Sequence, residues 1–243
     1  MAEITKAVVL AAGNGTRLLP VTEEISKAMV EVNGKSLLEY SLSALAEAGI
    51  KDAAIVVGYK AEEIRKRFGS EFRGMKLAYL MQYQQMGTAH AASLAKKFCA
   101  DDSFIMVYAD LLFEKRLIKG VLAVGGFDCV MVGIEVNEPS RYGILETEGN
   151  IVKNLVEKPP AGTEPGRLAN YGIYLFSPRL FGVIDQTKIS PRGEFELTDS
   201  IKLLIPDGKV SWIPGKGILM DVTNPEDIAR AENAVKENEG AFC

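Results

Sequence analysis

Apolar and polar positions alternate in blocks along this chain, short β-branched runs giving way to stretches with helical spacing. The first apolar run, AVVLA at residues 7–11, suits a buried strand through Val8 and Val9, and Gly13 and Gly15 then break it into a turn. A helix is expected to start near Thr16. Residues 37–48 carry apolar side chains at helical spacing, and Gly49 is placed to cap them before a strand at 53–57. A charged helix at 61–68, a strand at 77–81, a helix at 89–98 and an apolar strand at 104–108 continue the series. Such alternation implies an α/β fold, a mostly parallel sheet with helices on both faces. The second half reads as mixed α/β: a strand at 129–135, a hairpin over 144–157 turning at Glu148, Gly149 and Asn150, an exposed loop at 159–166 and a strand at 171–176. Asn224, Pro225 and Asp227 mark the start of a final helix.

Composition sets bounds on this picture. A chain of 243 residues, 47% hydrophobic and 25% charged, is ordinary for a globular protein and large enough for one α/β domain. The opening MAEITK leads straight into a strand, so no signal peptide is expected. No apolar run approaches the roughly 18 residues of a membrane helix, and a cytoplasmic location follows. Cys99, Cys129 and Cys243 are odd in number and widely spaced, which suits a reducing compartment and neither a disulfide framework nor a zinc cluster. The net charge of −4 argues against a nucleic-acid partner, which needs a broad basic surface. It leaves room for a small anionic substrate in a locally basic cleft.

The candidate chemistry begins at the first turn, where AVVLAAGNGTR closes on Arg17 and Lys27 follows ten residues later. Backbone N–H groups of such a turn point at an anion, Arg17 adds a planar charged fork and Lys27 a mobile point charge. A Walker loop is excluded because Gly15 is followed by Thr16 and Arg17, and the dinucleotide fingerprint is excluded by Leu18 where a third glycine is required. Read alone, the segment is equally an ordinary strand-to-helix turn. Asp110 follows the apolar run FIMVYA, which places its carboxylate at the end of a buried strand and suits Mg²⁺, although a turn or cap role also explains it.

LAAGNGTRLLPVT, followed by SKAMVEVNGKSLLEY, resembles the N-terminal signature of the nucleotidyltransferases that make nucleotide sugars, LAxGxGTRLxPxT with a lysine about ten residues on. The chain is similar both to glucose-1-phosphate thymidylyltransferases, which also place Ser before this lysine, and to the uridylyltransferase part of N-acetylglucosamine-1-phosphate enzymes. The resemblance implies a Rossmann-like three-layer αβα sandwich with a mostly parallel mixed sheet, of the nucleotide-diphospho-sugar transferase type. It implies one domain over residues 1–243, with a nucleotide-binding half to about residue 125 and a sugar-phosphate half beyond it. No β-helix tail of hexapeptide repeats is expected after the final helix.

On this resemblance Leu10, Ala11, Ala12, Gly13, Gly15, Thr16 and Arg17 bind the nucleotide, and Gln82, Gly87 and Thr88 form the base-reading loop, since an amide both donates and accepts as a uracil or thymine edge requires. Gln84 and Gln85 are equally available amides. His90, the only histidine, reads as a packing or surface residue of a helix rather than a general base. Tyr142, Gly143, Glu157, Lys158 and Asn170 resemble the sugar-phosphate site, with Glu196 a further candidate; Glu157 beside Lys158 also reads as a surface charge pair, and Glu194 or Glu196 as a helix cap. Asp221 is paired by the resemblance with Asp110 as a joint Mg²⁺ site. Departures from the family pattern are Ala109 where relatives have Gly, and Leu219, Thr223 and Asn224 around Asp221.

The implied activity is Mg²⁺-dependent transfer of a nucleotidyl group to glucose 1-phosphate or N-acetylglucosamine 1-phosphate with release of pyrophosphate, Arg17, Lys27, Asp110 and Lys158 acting on the phosphates. UTP is the first choice from GTAHA and dTTP the second from the Ser26–Lys27 pair. A non-catalytic nucleotide-sugar-binding regulatory protein, and a cytidylyl- or guanylyltransferase acting on another phosphorylated sugar or polyol, are the alternatives. A homo-oligomer remains open.

Overall fold

Val8 and Val9, adjacent in sequence, point to opposite faces of the strand β1 (Lys6–Ala11) and enter different parts of the core, as the two-residue period of an extended chain requires. The computed structural model describes residues 3–13 and 15–242, and the side chain of Thr16 lies outside that description. After β1 come α1 (Val21–Glu24), β2 (Glu31–Val32), β3 (Lys35–Ser36), α2 (Leu37–Glu47), β4 (Asp52–Val57), α3 (Ala61–Phe68), β5 (Glu71–Phe72) and β6 (Met75–Met81). Next follow α4 (Thr88–Ser93), α5 (Lys96–Cys99), β7 (Phe104–Tyr108), β8 (Leu111–Phe113), α6 (Arg116–Leu122), β9 (Cys129–Glu135), β10 (Gly143–Glu148), β11 (Ile151–Glu157) and β12 (Leu168–Phe176). The last elements are α7 (Arg179–Ile184), α8 (Leu197–Lys202), β13 (Val210–Pro214), β14 (Leu219–Asp221), α9 (Pro225–Glu237) and α10 (Glu239–Phe242).

The main sheet runs in the order β10-β11-β13-β9-β12-β7-β1-β4-β6-β5. Strands β1, β4, β6, β7, β9, β10 and β13 point one way and β5, β11 and β12 the other. Four of the nine neighbouring pairs are parallel and five antiparallel, so the sheet is mixed and not mostly parallel as expected: only the β7-β1-β4-β6 block and the β13–β9 pair are parallel. From β1 the chain steps outward to β4 and β6, then crosses back to place β7 on the other flank of β1. The crevice between the carboxyl ends of β1 and β7 is therefore a topological switch point, the place where open α/β sheets hold ligands.

Each face of the sheet is covered by helices. Val9, Ile55 and Val57 pack with Leu38 and Leu42 of α2 and Ile118 of α6. On the other face Val8, Val56 and Met106 pack with Ala92 of α4, Phe181 of α7 and Ile201 of α8. A third cluster joins Leu18, Val30 and Leu37 to Leu112, Val222 and Ala231, fastening α9 to the segment that follows the first turn.

The hairpin over β10 and β11 turns at Gly149, which takes a φ of +59°, as the sequence leads one to expect. Two expectations about helices also change. The helix expected at 89–98 is two short helices, α4 and α5, because the Ala95 N–H closes on the Ala92 carbonyl at 3.0 Å in a tight turn. No long helix follows the glycine turn either: Thr16–Leu18 form a 3₁₀ turn, and α1 has four residues, so a helix macrodipole contributes nothing at this point. Cys99 and Cys129 are buried free thiols, and burial pushes the Cys99 thiol up to about 12; Cys243 lies outside the described residues. No helix among the described residues is long and apolar enough to cross a membrane.

The final helix starts on a capping box in which Asn224 accepts from the Asp227 N–H while the Asp227 carboxylate accepts from the Asn224 N–H. Asp227 also accepts from the Thr223 N–H at 2.9 Å and its hydroxyl at 3.0 Å, securing the turn directly after Asp221. Replacing Asp227 with Ala strands these donors, and urea denaturation is expected to register a loss of about 1–3 kcal/mol.

Candidate active site

The loops after β1, β6 and β7 border a cavity of about 280 Å³. Leu10, Ala11, Ala12 and Gly13 form one wall, Gln82, Gln85, Gly87 and Thr88 another, and Lys27 and Asp110 stand at its end. A second cavity, of about 200 Å³, adjoins it and shares Thr88, Tyr108, Asp110 and Glu194. Tyr142, Gly143, Glu157, Lys158, Asn170 and Glu196 all line this second space, together with Asp221. Gly15 and Thr16 aside, most of the residues singled out in the sequence thus line two compartments that share Asp110.

Gly15 lines neither compartment. Its φ of +64° makes the turn, and a Cβ there would lie 2.9 Å from Thr22 Cγ2 and 3.0 Å from Lys27 Cβ, so glycine lets the chain bring Lys27 close. Arg17, expected beside the nucleotide turn, borders the second compartment, because the 3₁₀ turn sends Leu18 into the core and Arg17 outward.

Lys27 Nζ donates to Asp110 Oδ2 at 2.5 Å. Asp221 reaches the same place from the other end of the chain. Strand β14 pairs with β8 so that Asp221 lies opposite Leu111, and the Val222 N–H donates to the Asp110 carbonyl at 2.9 Å. Tyr142 and Tyr171 stack with ring centroids 5.6 Å apart, and both hydroxyls donate to Asp221 Oδ1, at 3.1 and 2.8 Å. The Asp221 N–H donates in turn to the Tyr171 hydroxyl, so one tyrosine holds both the backbone and the side chain of Asp221. Burial, and then the Asp221 charge, hold both phenols above their ordinary range and therefore protonated.

The second compartment mixes carboxylates with cationic side chains and includes buried polar atoms. A bulge in β12 at Gly172, whose φ is +71° and whose Cβ would stand 2.8 Å from Tyr108 Cδ2, re-aims Asn170 and Tyr171. Asn170 Nδ2 donates to the Tyr174 hydroxyl at 2.7 Å, leaving Oδ1 buried without a partner; Thr198 Oγ1 is buried and unpartnered on the same cavity. Glu196 is almost fully buried, and that burial, opposed by the Arg192 guanidinium, raises its carboxyl above the usual carboxylate range. The unpartnered Asn170 oxygen and Thr198 hydroxyl suit a ligand rich in hydroxyl groups.

Sequence reasoning missed Arg192. Its guanidinium reaches Glu196 at 2.7 Å, Glu157 at 3.4 Å and Glu194 at 3.9 Å, tying the Ser190–Glu196 loop to the second compartment. The signal was the run PRGEFE, whose alternating charges read as helix capping until the fold brought Glu157 alongside. Tyr171 was missed as well, hidden in a strand that reads as uniformly buried.

Gln82 is buried, with Nε2 3.3 Å from the Gly87 carbonyl and 3.0 Å from His90 Nδ1. Gln85, equally eligible from sequence, donates to the Ala12 carbonyl at 2.6 Å, and Gln84 lines neither cavity. Gly87 has a φ of +106° and fits against the Phe195 carbonyl, which accepts from the Ala89 N–H, while the Phe195 N–H donates to the Met86 carbonyl. Among the described residues no group of three or more His, Cys, Asp and Glu side chains could cage a metal, so any ion here relies on Asp110, Asp221 and oxygens from elsewhere.

Residues 6–238 match the family model described as nucleotidyl transferase. A low-salt glycan biosynthesis nucleotidyltransferase of Haloferax volcanii is 37% identical over 241 residues, 96% of this chain and 66% of that protein. A UTP–glucose-1-phosphate uridylyltransferase of the same organism is 36% identical over 241 residues, covering 96% of this chain and 97% of the relative. The crystal structure of a UDP-glucose pyrophosphorylase complexed with UDP-glucose superposes with a TM-score of 0.86 at 26% identity, over 96% of this chain and 99% of that one. The chain spans about half the length of several other curated relatives it matches, 53% in the bifunctional proteins of Methanococcus maripaludis.

A Gly87→Ala substitution puts a Cβ 2.5 Å from the Phe195 carbonyl oxygen at a backbone angle unfavourable to L-residues. The expected cost is about 1–3 kcal/mol, read as faster hydrogen exchange at the Ala89 and Phe195 amides.

Proposed function

Because the chain belongs to the nucleotidyl transferase family, we propose that it transfers a uridylyl group from UTP, or a thymidylyl group from dTTP, to a sugar 1-phosphate. Glucose 1-phosphate is the first-choice acceptor and N-acetylglucosamine 1-phosphate the second. The observation that carries this reading is the meeting of two cavities at Asp110, one bordered by the glycine turn and Gln82, the other by acceptors and Lys158. The fold reading that goes with it is a Rossmann-like sandwich acting as one unit, with its nucleotide half before about residue 125. We place the protein in the cytoplasm, where nucleoside triphosphates are made.

In this reading an oxygen of the sugar 1-phosphate attacks the α-phosphorus while the bond to the β-phosphate oxygen breaks, giving nucleotide sugar and pyrophosphate. The nucleophile is already ionised, so the protein's task is alignment of two polyanions and stabilisation of charge. Lys158, held at an unusual φ of +42° beside Glu157, directs its ammonium toward the acceptor phosphate. Lys27 offsets charge on the departing pyrophosphate, and Arg17, on the second cavity, lies toward the phosphates where the compartments join. Asn170, Glu157 and Glu196 accept from sugar hydroxyls, and Gly143 and Tyr142 form the floor.

The residues fit Mg²⁺: Asp110, just before β8, and Asp221, at the end of its partner β14, line one cavity, and the Lys27 ammonium already stands on Asp110 Oδ2 as a cation. Asp110 and the free oxygen of Asp221 would hold the ion. Mg²⁺ supplies charge neutralisation on the phosphates and keeps several waters of its own.

Pyrophosphate release measured at fixed Mg²⁺ over a panel of triphosphates and sugar phosphates tests the proposal. UTP or dTTP with glucose 1-phosphate is expected to give turnover; activity with CTP or GTP alone, or binding without turnover, overturns it. Lys158→Ala is expected to raise the KM for sugar phosphate roughly tenfold or more with little change for the triphosphate, as loss of a charge-assisted contact implies. Asp110→Ala is expected to lower turnover by on the order of a thousandfold.

A further inference from the structure

Gln82 closes the base end of the nucleotide cavity, and its amide has a fixed sense. The Gly87 carbonyl can only accept, so the atom 3.3 Å from it must be the amide nitrogen. The second hydrogen on that nitrogen then points at His90 Nδ1, 3.0 Å away, which must carry a lone pair. His90 is thereby the tautomer protonated on Nε2. Both amide hydrogens are used within the protein, while no donor among the described residues reaches the Gln82 oxygen, which is not sealed from the cavity.

His90 does not line the cavity. It sits one helical step beyond Gly87 in α4, where the Ser93 hydroxyl donates to its carbonyl at 2.7 Å. We infer that His90 is a positioning residue that holds the Gln82 amide with its oxygen toward the nucleotide, so that the cavity takes a base with an N3–H donor, uracil or thymine, and rejects cytosine. Uracil and thymine share that donor; cytosine offers an unprotonated N3, against which an acceptor oxygen is repelled. Were the amide free to rotate, its NH₂ would satisfy cytosine equally well. This inference rests on the nucleotidyl-transfer reading and names how its base is chosen.

The chain has a single histidine, so ¹⁵N-histidine labelling of the full-length protein gives one imidazole to assign. The expected spectrum has Nε2 protonated and Nδ1 bare; a protonated Nδ1 in the neutral ring overturns the inference, whether or not any variant folds. Kinetically, His90→Leu is expected to lower the ratio of kcat/KM for UTP over CTP roughly tenfold, through nucleotide KM more than kcat, the scale set by one lost hydrogen bond. His90→Asn, able to place an amide oxygen where Nδ1 stands, is expected to restore most of the ratio. An unchanged ratio in His90→Leu overturns the role of His90 alone. A wild-type enzyme that prefers CTP overturns the base reading of the preceding section together with it.

Discussion

Leu111 lies opposite Asp221 in the short β8–β14 ladder, and the Val222 N–H closes on the Asp110 carbonyl. The rest of the cleft is arranged around that join. Strand β7 delivers Asp110 from the switch point of the sheet, and the ladder brings Asp221 back from the far end of the chain. The cluster of Leu18, Val30, Leu112 and Val222 then fastens both to the segment carrying Lys27. Backbone hydrogen bonds fix the relative position of two like charges more tightly than side-chain packing alone would. The Tyr142–Tyr171 stack adds the remaining restraint by occupying one Asp221 oxygen with two hydroxyl donors.

Charge in the cleft is held in internal partnerships. Lys27 rests on Asp110, and Arg192 spans Glu157, Glu194 and Glu196. The second compartment is lined by five carboxylates and four cationic side chains, and Arg192 alone spans three of those carboxylates. An arriving phosphate therefore competes with carboxylates for Lys27, Lys158 and Arg192. The unpartnered Asn170 oxygen and Thr198 hydroxyl show the complementary feature, buried polar atoms that the protein itself leaves unsatisfied. Such atoms persist in a folded structure when a ligand supplies what is missing.

Much of this was legible in the sequence. The first turn, the alternation through β7, the hairpin at Gly149 and the helix start at Asn224 follow from local chemistry, namely apolar period, glycine freedom and capping. What stayed hidden depends on contacts between distant segments. Nothing in LMD at 219–221 announces that it will pair with LLF at 111–113, since three-residue strands carry no usable period. Arg192 is unremarkable until Glu157 is brought beside it. Composition does not distinguish Gln82 from Gln85; both line the first cavity, Gln82 held by the Gly87 carbonyl and His90 and Gln85 by the Ala12 carbonyl, contacts between segments that no local pattern announces. The broken helix at Leu94 and Ala95 shows the opposite limit, an apolar period that runs on while the backbone does not.

The segment before α8 belongs to both walls at once. Its Phe195 exchanges backbone hydrogen bonds with Met86 and Ala89, its Glu196 is gripped by Arg192, and Leu197, the first residue of α8, donates its N–H to the Thr88 hydroxyl. One strip of main chain thus sets the walls of both cavities, with Thr88 and Glu194 lining each, so the two spaces cannot be reshaped independently of one another.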